Sequence, residues 1–293
     1  MTDAAGLKLG LIGFPVGHSL SPLLQNDLLN AIRITGTYEL YETPRDQLQT
    51  KVAALKAAGL RGFNVTIPFK QEIIPLLDQI DEVAQLAGAV NTVVLKKNKL
   101  YGFNTDKPGF DRTLLFHGIK PSKLRAMILG AGGAARAVVL SLIQSGVRKI
   151  YVANRTTSRA ISLVEDISKS TGFFNFITMP LSQKSVGGLI EEIDIMVNTT
   201  SVGMWPTQMG SPFEFSKSSE QLVAVDLVYN PLETRFLKSA RKSGVVAIDG
   251  LDLFIYQGIA AMEIWTAKKI NGEAVYPNLR KKLSEALQNY GTT

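Results

Sequence analysis

The side chains best suited to hold and move a proton near a small polar ligand gather in a few short runs of this 293-residue chain. In Asn64-Val65-Thr66-Ile67-Pro68-Phe69-Lys70, Asn64 and Thr66 stand two apart, a spacing that points both to one face of a strand. Pro68 then breaks the ladder, and Lys70 is expected to open the next helix. A lysine there is poorly placed against the helix dipole, which makes it a candidate for proton transfer rather than a solvated surface cation. Ser19 and Ser21 supply two hydroxyls at spacing two, with Ser21 also read as the cap of its helix, and Asn91 and Asn104-Thr105-Asp106 end apolar stretches. Together these residues form a cluster of hydroxyl and amide groups with one carboxylate, Asp106, suited to a polyhydroxylated ligand.

A second kind of chemistry sits in Met127-Ile128-Leu129-Gly130-Ala131-Gly132-Gly133-Ala134-Ala135, a strand that runs into a glycine turn and opens a helix. It fits G-x-G-x-x-A: Gly130 permits the tight turn, Gly132 lets the backbone approach a pyrophosphate, and Ala135 lets the helix pack closely on the sheet. The free N–H groups of Ala131, Gly133 and Ala134 can then receive a diphosphate. The next strand ends at Asn154-Arg155-Thr156-Thr157-Ser158-Arg159, where an NAD site would usually show an acid for the ribose 2′-hydroxyl. Asn154 is neutral, and Arg155 and Arg159 lie four apart at a helix start, where an anion offsets their unfavourable placement. The arrangement favours the 2′-phosphate of NADP over NAD.

The elements that position these runs alternate. Short apolar strands (8–13, 38–42, 62–66, then 127–129, 149–153, 194–199, 222–227 and 245–249) are separated by amphipathic stretches, the signature of two α/β units with a mainly parallel sheet. Residues 93–95 and 100–103 read as a hairpin whose Lys96-Lys97-Asn98-Lys99 connection must meet water. A helix marked by Phe110, Leu114 and His117 and closed by Gly118 links the units. The expected division is a substrate domain of 1–106 plus 251–293, the last helices returning to it, and a Rossmann-type domain of 107–250, with a cleft between them.

Bulk composition narrows the rest. There is no cysteine, which excludes disulfides, thiolate catalysis and Fe–S clusters, and the two histidines have no ligand pattern around them, so no metal is expected. The net charge of +7 is dispersed along the chain, which argues against nucleic-acid binding and suits anionic small molecules. No segment reads as a signal or membrane helix, and a cytoplasmic monomer or homodimer is expected.

Several of these runs, in order, resemble the shikimate dehydrogenase family: Gly17-His18-Ser19-Leu20-Ser21-Pro22, Asn64–Lys70, Gly88-Ala89-Val90-Asn91-Thr92, Gly102-Phe103-Asn104-Thr105-Asp106, Gly130–Ala135, Asn154-Arg155-Thr156, and Asp249-Gly250-Leu251 with Gln257. The resemblance implies that Ser19 and Ser21 bind a substrate carboxylate and that Asn64, Thr66, Asn91, Asp106 and Gln257 hold ring hydroxyls. It assigns Lys70 and Asp106 the catalytic roles and places Tyr229 near the substrate. It also implies that Thr200 and Val202, in the loop from Asn198 to Met204, lie with Gly250 near the nicotinamide. The implied activity is NADP-dependent interconversion of 3-dehydroshikimate and shikimate. Quinate or dual quinate/shikimate dehydrogenases share the Lys–Asp pair, and a shikimate-binding regulator without turnover shares the pocket. A methylenetetrahydrofolate dehydrogenase shares the two-domain plan but not the Asn64–Lys70 and Asn104–Asp106 runs. The sequence departs from the family at Lys107-Pro108-Gly109, where relatives usually have a glycine before the residue matching Pro108; the change adds a cation beside Asp106 and bears on substrate choice.

Overall fold

Apolar strands and amphipathic helices alternate through most of the computed structural model, which describes residues 6–216 and 221–290. The chain divides into two units: one runs to Gly109 and includes Ile255–Ala286, the other holds Phe110–Phe254 and the chain from Leu287. The expected boundaries at Asp106 and Leu251 and the observed ones at Gly109 and Phe254 fall inside the same two helices.

The first unit contains β1 (Leu7–Gly13), α1 (Ser21–Ala31), β2 (Gly36–Glu42), α2 (Leu48–Ala57), β3 (Gly62–Val65), β4 (Gln79–Ile80), α3 (Glu82–Ala87), β5 (Thr92–Lys96), β6 (Lys99–Phe103) and the start of α4 (Asp106–Phe116). Its sheet has the order β2-β1-β3-β5-β6-β4. β1 lies parallel to β2 and β3, β5 runs antiparallel to β3 and β6, and β4 is parallel to β6. The sheet is therefore mixed, and the β5–β6 hairpin is the reason. Lys97 and Asn98 form its two-residue turn with φ of 50° and 60°, and the flanking lysines are exposed.

In the second unit β7 (Arg125–Leu129), α5 (Gly133–Gln144), β8 (Lys149–Asn154), α6 (Thr157–Thr171), β9 (Phe176–Pro180), α7 (Gln183–Gly187), β10 (Ile195–Asn198), β11 (Val223–Asp226), α8 (Arg235–Lys242) and β12 (Val246–Ile248) follow in order. All pairs are parallel, in the order β12-β11-β10-β7-β8-β9. Ile128, Val152 and Val197 enter one apolar cluster while Met127, Tyr151 and Met196 enter the other, so these strands are buried on both faces, as a parallel sheet flanked by helices requires. The strand order reverses between β7 and β10, and in such sheets the crevice beyond the strand ends at that point receives the ligand.

The chain returns to the first unit within α9 (Leu251–Thr266) and continues in α10 (Gly272–Tyr290). Trp265 is 1% exposed, and its indole N–H donates to the Val93 carbonyl at 3.0 Å. A Cβ on Gly62 would lie 2.4 Å from that indole nitrogen, so the close seat of α9 on β3 depends on glycine there.

Two local expectations are corrected. Lys70 lies in a run of turns ending in a short 3-10 segment at Ile74–Leu76 and does not open a helix. Its carbonyl accepts from the Val90 N–H at 2.7 Å instead of from the fourth residue onward, and Pro75 has no N–H to offer the next turn. Ser21 is inside the first turn of α1, with Leu20 at the cap position and no side-chain cap.

Candidate active site

The first unit gathers several of the predicted polar residues around one ion pair. β3 delivers Asn64, the segment after it Lys70, the start of β5 Asn91 and Thr92, and the end of β6 Asn104, Thr105 and Asp106. Asn64, Asn91, Asn104, Thr105 and Asp106 are all under 9% exposed, so each buried polar atom needs a partner. Lys70 Nζ donates to Asp106 Oδ2, and Asp106 Oδ1 accepts from Asn91 Nδ2 at 2.8 Å. Asp106 is the first residue of α4, where a carboxylate also faces the positive end of the helix. The ammonium group has three donors and gives one to Asp106, leaving others for a ligand oxygen. The lysine and aspartate side chains are 15% and 12% exposed, so they are sheltered but reachable.

The amides are held more firmly than sequence alone indicated. Asn64 Nδ2 donates to the Asn91 carbonyl at 3.1 Å and to Thr92 Oγ1 at 3.0 Å, and the buried Tyr38 hydroxyl donates to Asn64 Oδ1 at 2.7 Å. Thr66 lies one residue beyond β3 and is half-buried, with its N–H on the Ile12 carbonyl at 2.9 Å. Ser19 and Ser21 place their hydroxyl oxygens 3.0 Å apart, and the Ser21 N–H donates to Ser19 Oγ at 3.2 Å. Gln257 is half-buried on α9, and Gly109, one turn after Asp106, packs against it: a Cβ on Gly109 would come within 2.9 Å of Gln257 Cβ. Tyr38 and Thr92 had no role in the sequence reading beyond strand and motif membership.

In the second unit, Gly130 has φ of 114°, a conformation closed to most side chains, and a Cβ there would meet Thr199 Oγ1 at 2.6 Å. Gly132 occupies the N-cap position of α5 with open space where a Cβ would stand. Ala135 is fully buried. The turn with Ala131, Gly133 and Ala134 thus offers the first free N–H groups of α5 to an anion. At the end of β8, Asn154 Nδ2 donates to the Thr156 carbonyl at 2.8 Å, and Thr156 sits at the N-cap position of α6. Arg155 and Arg159 are exposed, and neither guanidinium has an ion-pair partner among the described residues.

The loops beyond β10 and β11 share one buried anchor that the sequence reading missed. Asp226 is fully buried; its Oδ1 accepts from Asn198 Nδ2 at 2.8 Å and from the Val228 N–H at 3.0 Å, and its Oδ2 accepts from Thr234 Oγ1 at 2.6 Å. Burial pushes its carboxyl up to about 6, against the lowering effect of those hydrogen bonds and with a smaller upward contribution from Asp249. Asn198 Oδ1 in turn accepts from the Thr200 N–H at 3.0 Å and hydroxyl at 2.7 Å, and Thr200 Oγ1 accepts from the Val202 N–H at 3.2 Å. Tyr229 belongs to this unit and stacks on Phe254 with ring centroids 4.1 Å apart. Gly250 admits no Cβ, which would lie 2.6 Å from the Leu227 carbonyl oxygen.

Among the described residues no group of three or more His, Asp or Glu side chains is placed to hold a metal, and no helix is long and apolar enough to cross a membrane.

Two family models match the chain: one described as the shikimate dehydrogenase substrate binding domain, over residues 11–93, and one described as shikimate / quinate 5-dehydrogenase, over residues 116–236. The shikimate dehydrogenase (NADP(+)) of Moorella thermoacetica is 42% identical over 261 residues, covering 89% of this chain and 88% of its own. A crystal structure of a shikimate dehydrogenase in complex with NADP+ is similar with a TM-score of 0.87 at 35% identity, over 98% of each chain. The quinate dehydrogenase of Corynebacterium glutamicum in complex with NAD is similar with a TM-score of 0.84 at 31% identity, over 94% of this chain and 98% of that one.

Proposed function

The chain belongs to the shikimate dehydrogenase family, and we propose that it interconverts shikimate and 3-dehydroshikimate with NADP(H), using Lys70 and Asp106 as its proton-handling pair. The observation that carries this reading is the sheltered Lys70–Asp106 pair set among neutral amides and hydroxyls. Such a setting keeps one mobile proton beside a ligand hydroxyl while the surrounding groups recognise the rest of a polyhydroxylated ring. Ser19 and Ser21 are proposed to receive the substrate carboxylate, with Asn64, Thr66, Asn91 and Gln257 completing the site.

The glycine turn fits a dinucleotide diphosphate: Gly130 supplies the bend, Gly132 leaves room for close approach, and α5 points its free N–H groups there. When bound, the nicotinamide supplies or accepts the hydride. Arg155 and Arg159, cations without carboxylate partners at the start of α6, are proposed to hold a 2′-phosphate, which favours NADP over NAD and sets this reading above a quinate enzyme that uses NAD. Asn154 and Thr156 shape that corner, and Thr200, Val202 and Gly250 line the nicotinamide side. In reduction, charge develops on the carbonyl oxygen, and Lys70 gives it a proton; in oxidation, neutral Lys70 takes the proton from the hydroxyl. Asp106 holds Lys70 in place and orients the same hydroxyl. An intact pair is what turnover needs, and it favours an enzyme over a binding-only regulator. The proposal includes a cytoplasmic setting, since the cysteine-free chain needs no oxidising compartment.

Steady-state kinetics of Lys70→Ala and Asp106→Asn test the assignment. Each is expected to lower kcat for shikimate oxidation by roughly 10²–10⁴-fold, the range for loss of a positioned proton-transfer group. A Lys70→Ala enzyme that kept kcat and changed only KM would reduce Lys70 to a binding group.

A further inference from the structure

We infer that Thr92 is a positioning residue for the Lys70–Asp106 pair, its hydroxyl joining the two buried amides that hold Asp106 in orientation. The inference rests on the dehydrogenase reading above and adds to it a residue that does not touch the ligand.

The orientation of both amides in this network follows from two backbone groups. Asn64 Nδ2 faces the Asn91 carbonyl at 3.1 Å, and a carbonyl only accepts, so the amide cannot be turned over. Tyr38 must then donate to Asn64 Oδ1, at 2.7 Å, and the second Nδ2 proton goes to Thr92 Oγ1, at 3.0 Å. Asn91 is fixed in the same way by the Thr105 N–H, which only donates, 2.7 Å from Asn91 Oδ1. Its Nδ2 therefore points at Thr105 Oγ1, 2.9 Å away, and at Asp106 Oδ1, 2.8 Å away.

Thr92 closes the gap between the two halves. It accepts from Asn64, so its own proton is free to go to Asn91 Oδ1 at 3.1 Å, with Thr105 Oγ1 at 3.2 Å as the neighbouring oxygen. Thr92 is fully buried, Tyr38 is 3% exposed, and water cannot replace either partner without entering the core. A chain of donors thus runs from Tyr38 through Asn64, Thr92 and Asn91 to the Asp106 carboxylate, its final acceptor. Both N–H bonds of each asparagine amide are committed within this chain, which makes the amides supports for Asp106 as well as walls of the site. Replacing the Thr92 hydroxyl by a methyl group would leave one Asn64 N–H without an acceptor and remove one donor from Asn91 Oδ1, freeing both amides to shift.

The experiment compares wild type with Thr92→Val, Thr92→Ser and Tyr38→Phe in shikimate oxidation with NADP+, with thermal melting of each. Thr92→Val is expected to lower kcat about tenfold, the cost of one orphaned buried hydrogen bond, with KM for shikimate changed less than about threefold. Thr92→Ser is expected to restore kcat to within about twofold of wild type, and Tyr38→Phe to lower kcat by about three- to tenfold from the far end of the chain. If Thr92→Val does not fold, the Tyr38→Phe result decides. Folded variants with wild-type kcat and lowered melting temperatures would make Thr92 and Tyr38 purely structural and overturn the inference. A loss in Thr92→Val that Thr92→Ser fails to rescue would overturn it as well. Wild-type protein inactive on shikimate would instead overturn the dehydrogenase reading itself.

Discussion

Arg155 and Arg159 carry the cofactor claim at the scale of single residues. Two exposed cations four apart at the start of α6 repel each other and the helix dipole, so they weaken the free protein slightly. A 2′-phosphate would reverse that cost through charge-assisted hydrogen bonds worth about 1.5–3 kcal/mol each. Arg155→Ala and Arg159→Ala are therefore expected to raise KM for NADP+ by about tenfold or more and to leave KM for NAD+ within about twofold. Equal loss for both cofactors would place the arginines elsewhere in the binding site. The Lys70–Asp106 pair was visible in the sequence as residue types, but its support was not. Tyr38 comes from β2 and Thr92 from β5, and only the sheet order brings them to Asn64.

Elements decide which glycines serve the fold and which serve a ligand. Gly130→Ala would force a Cβ against Thr199 Oγ1 in a backbone of positive φ, and is expected to lower both the melting temperature and NADP+ affinity. Gly132→Ala meets nothing and has an ordinary φ of −93°, so it is expected to keep the melting temperature and lose NADP+ affinity alone. Matched melting and binding losses at Gly132 would mean that its role is structural. The strand-turn-helix around Gly130 was legible because its pattern is local: apolar strand, glycines, small helix residues. The β5–β6 hairpin was legible for the same reason, although Lys96 and Lys99, expected in its connection, pair as strand residues and leave Lys97-Asn98 as the turn. The Lys70 segment was misread as a helix because its departure depends on a distant partner, the Val90 N–H, that competes for the Lys70 carbonyl. Ser21 was misread as a cap because α1 begins one residue earlier, with Ser19 making the local hydroxyl contact instead. The short edge strand β4 escaped notice because two residues leave no periodicity to detect.

For the whole molecule, Asp226 couples folding to pH. Its folded value of about 6 lies above its ordinary 3.8, so the folded state binds the proton more tightly than the unfolded one. The associated stability is fully present below the unfolded value and is lost as pH rises through about 6. By pH 7.5 the loss amounts to about 3 kcal/mol in order of magnitude. Asp226→Asn keeps the shape and removes the titration. Its melting temperature relative to wild type is expected to climb between about pH 4.5 and pH 7.5, and a difference independent of pH would remove Asp226 from the account. The all-parallel sheet of the second unit, by contrast, was readable from the alternation of strands and helices, because each parallel pair needs a crossover connection and so repeats over long stretches of sequence.

The central claim is best tested by initial rates of nicotinamide reduction by the purified protein, with shikimate or quinate as substrate and NADP+ or NAD+ as cofactor in all four combinations. The account predicts that shikimate with NADP+ gives the highest kcat/KM of the four; quinate with NAD+ leading, or no turnover in any combination, would contradict it.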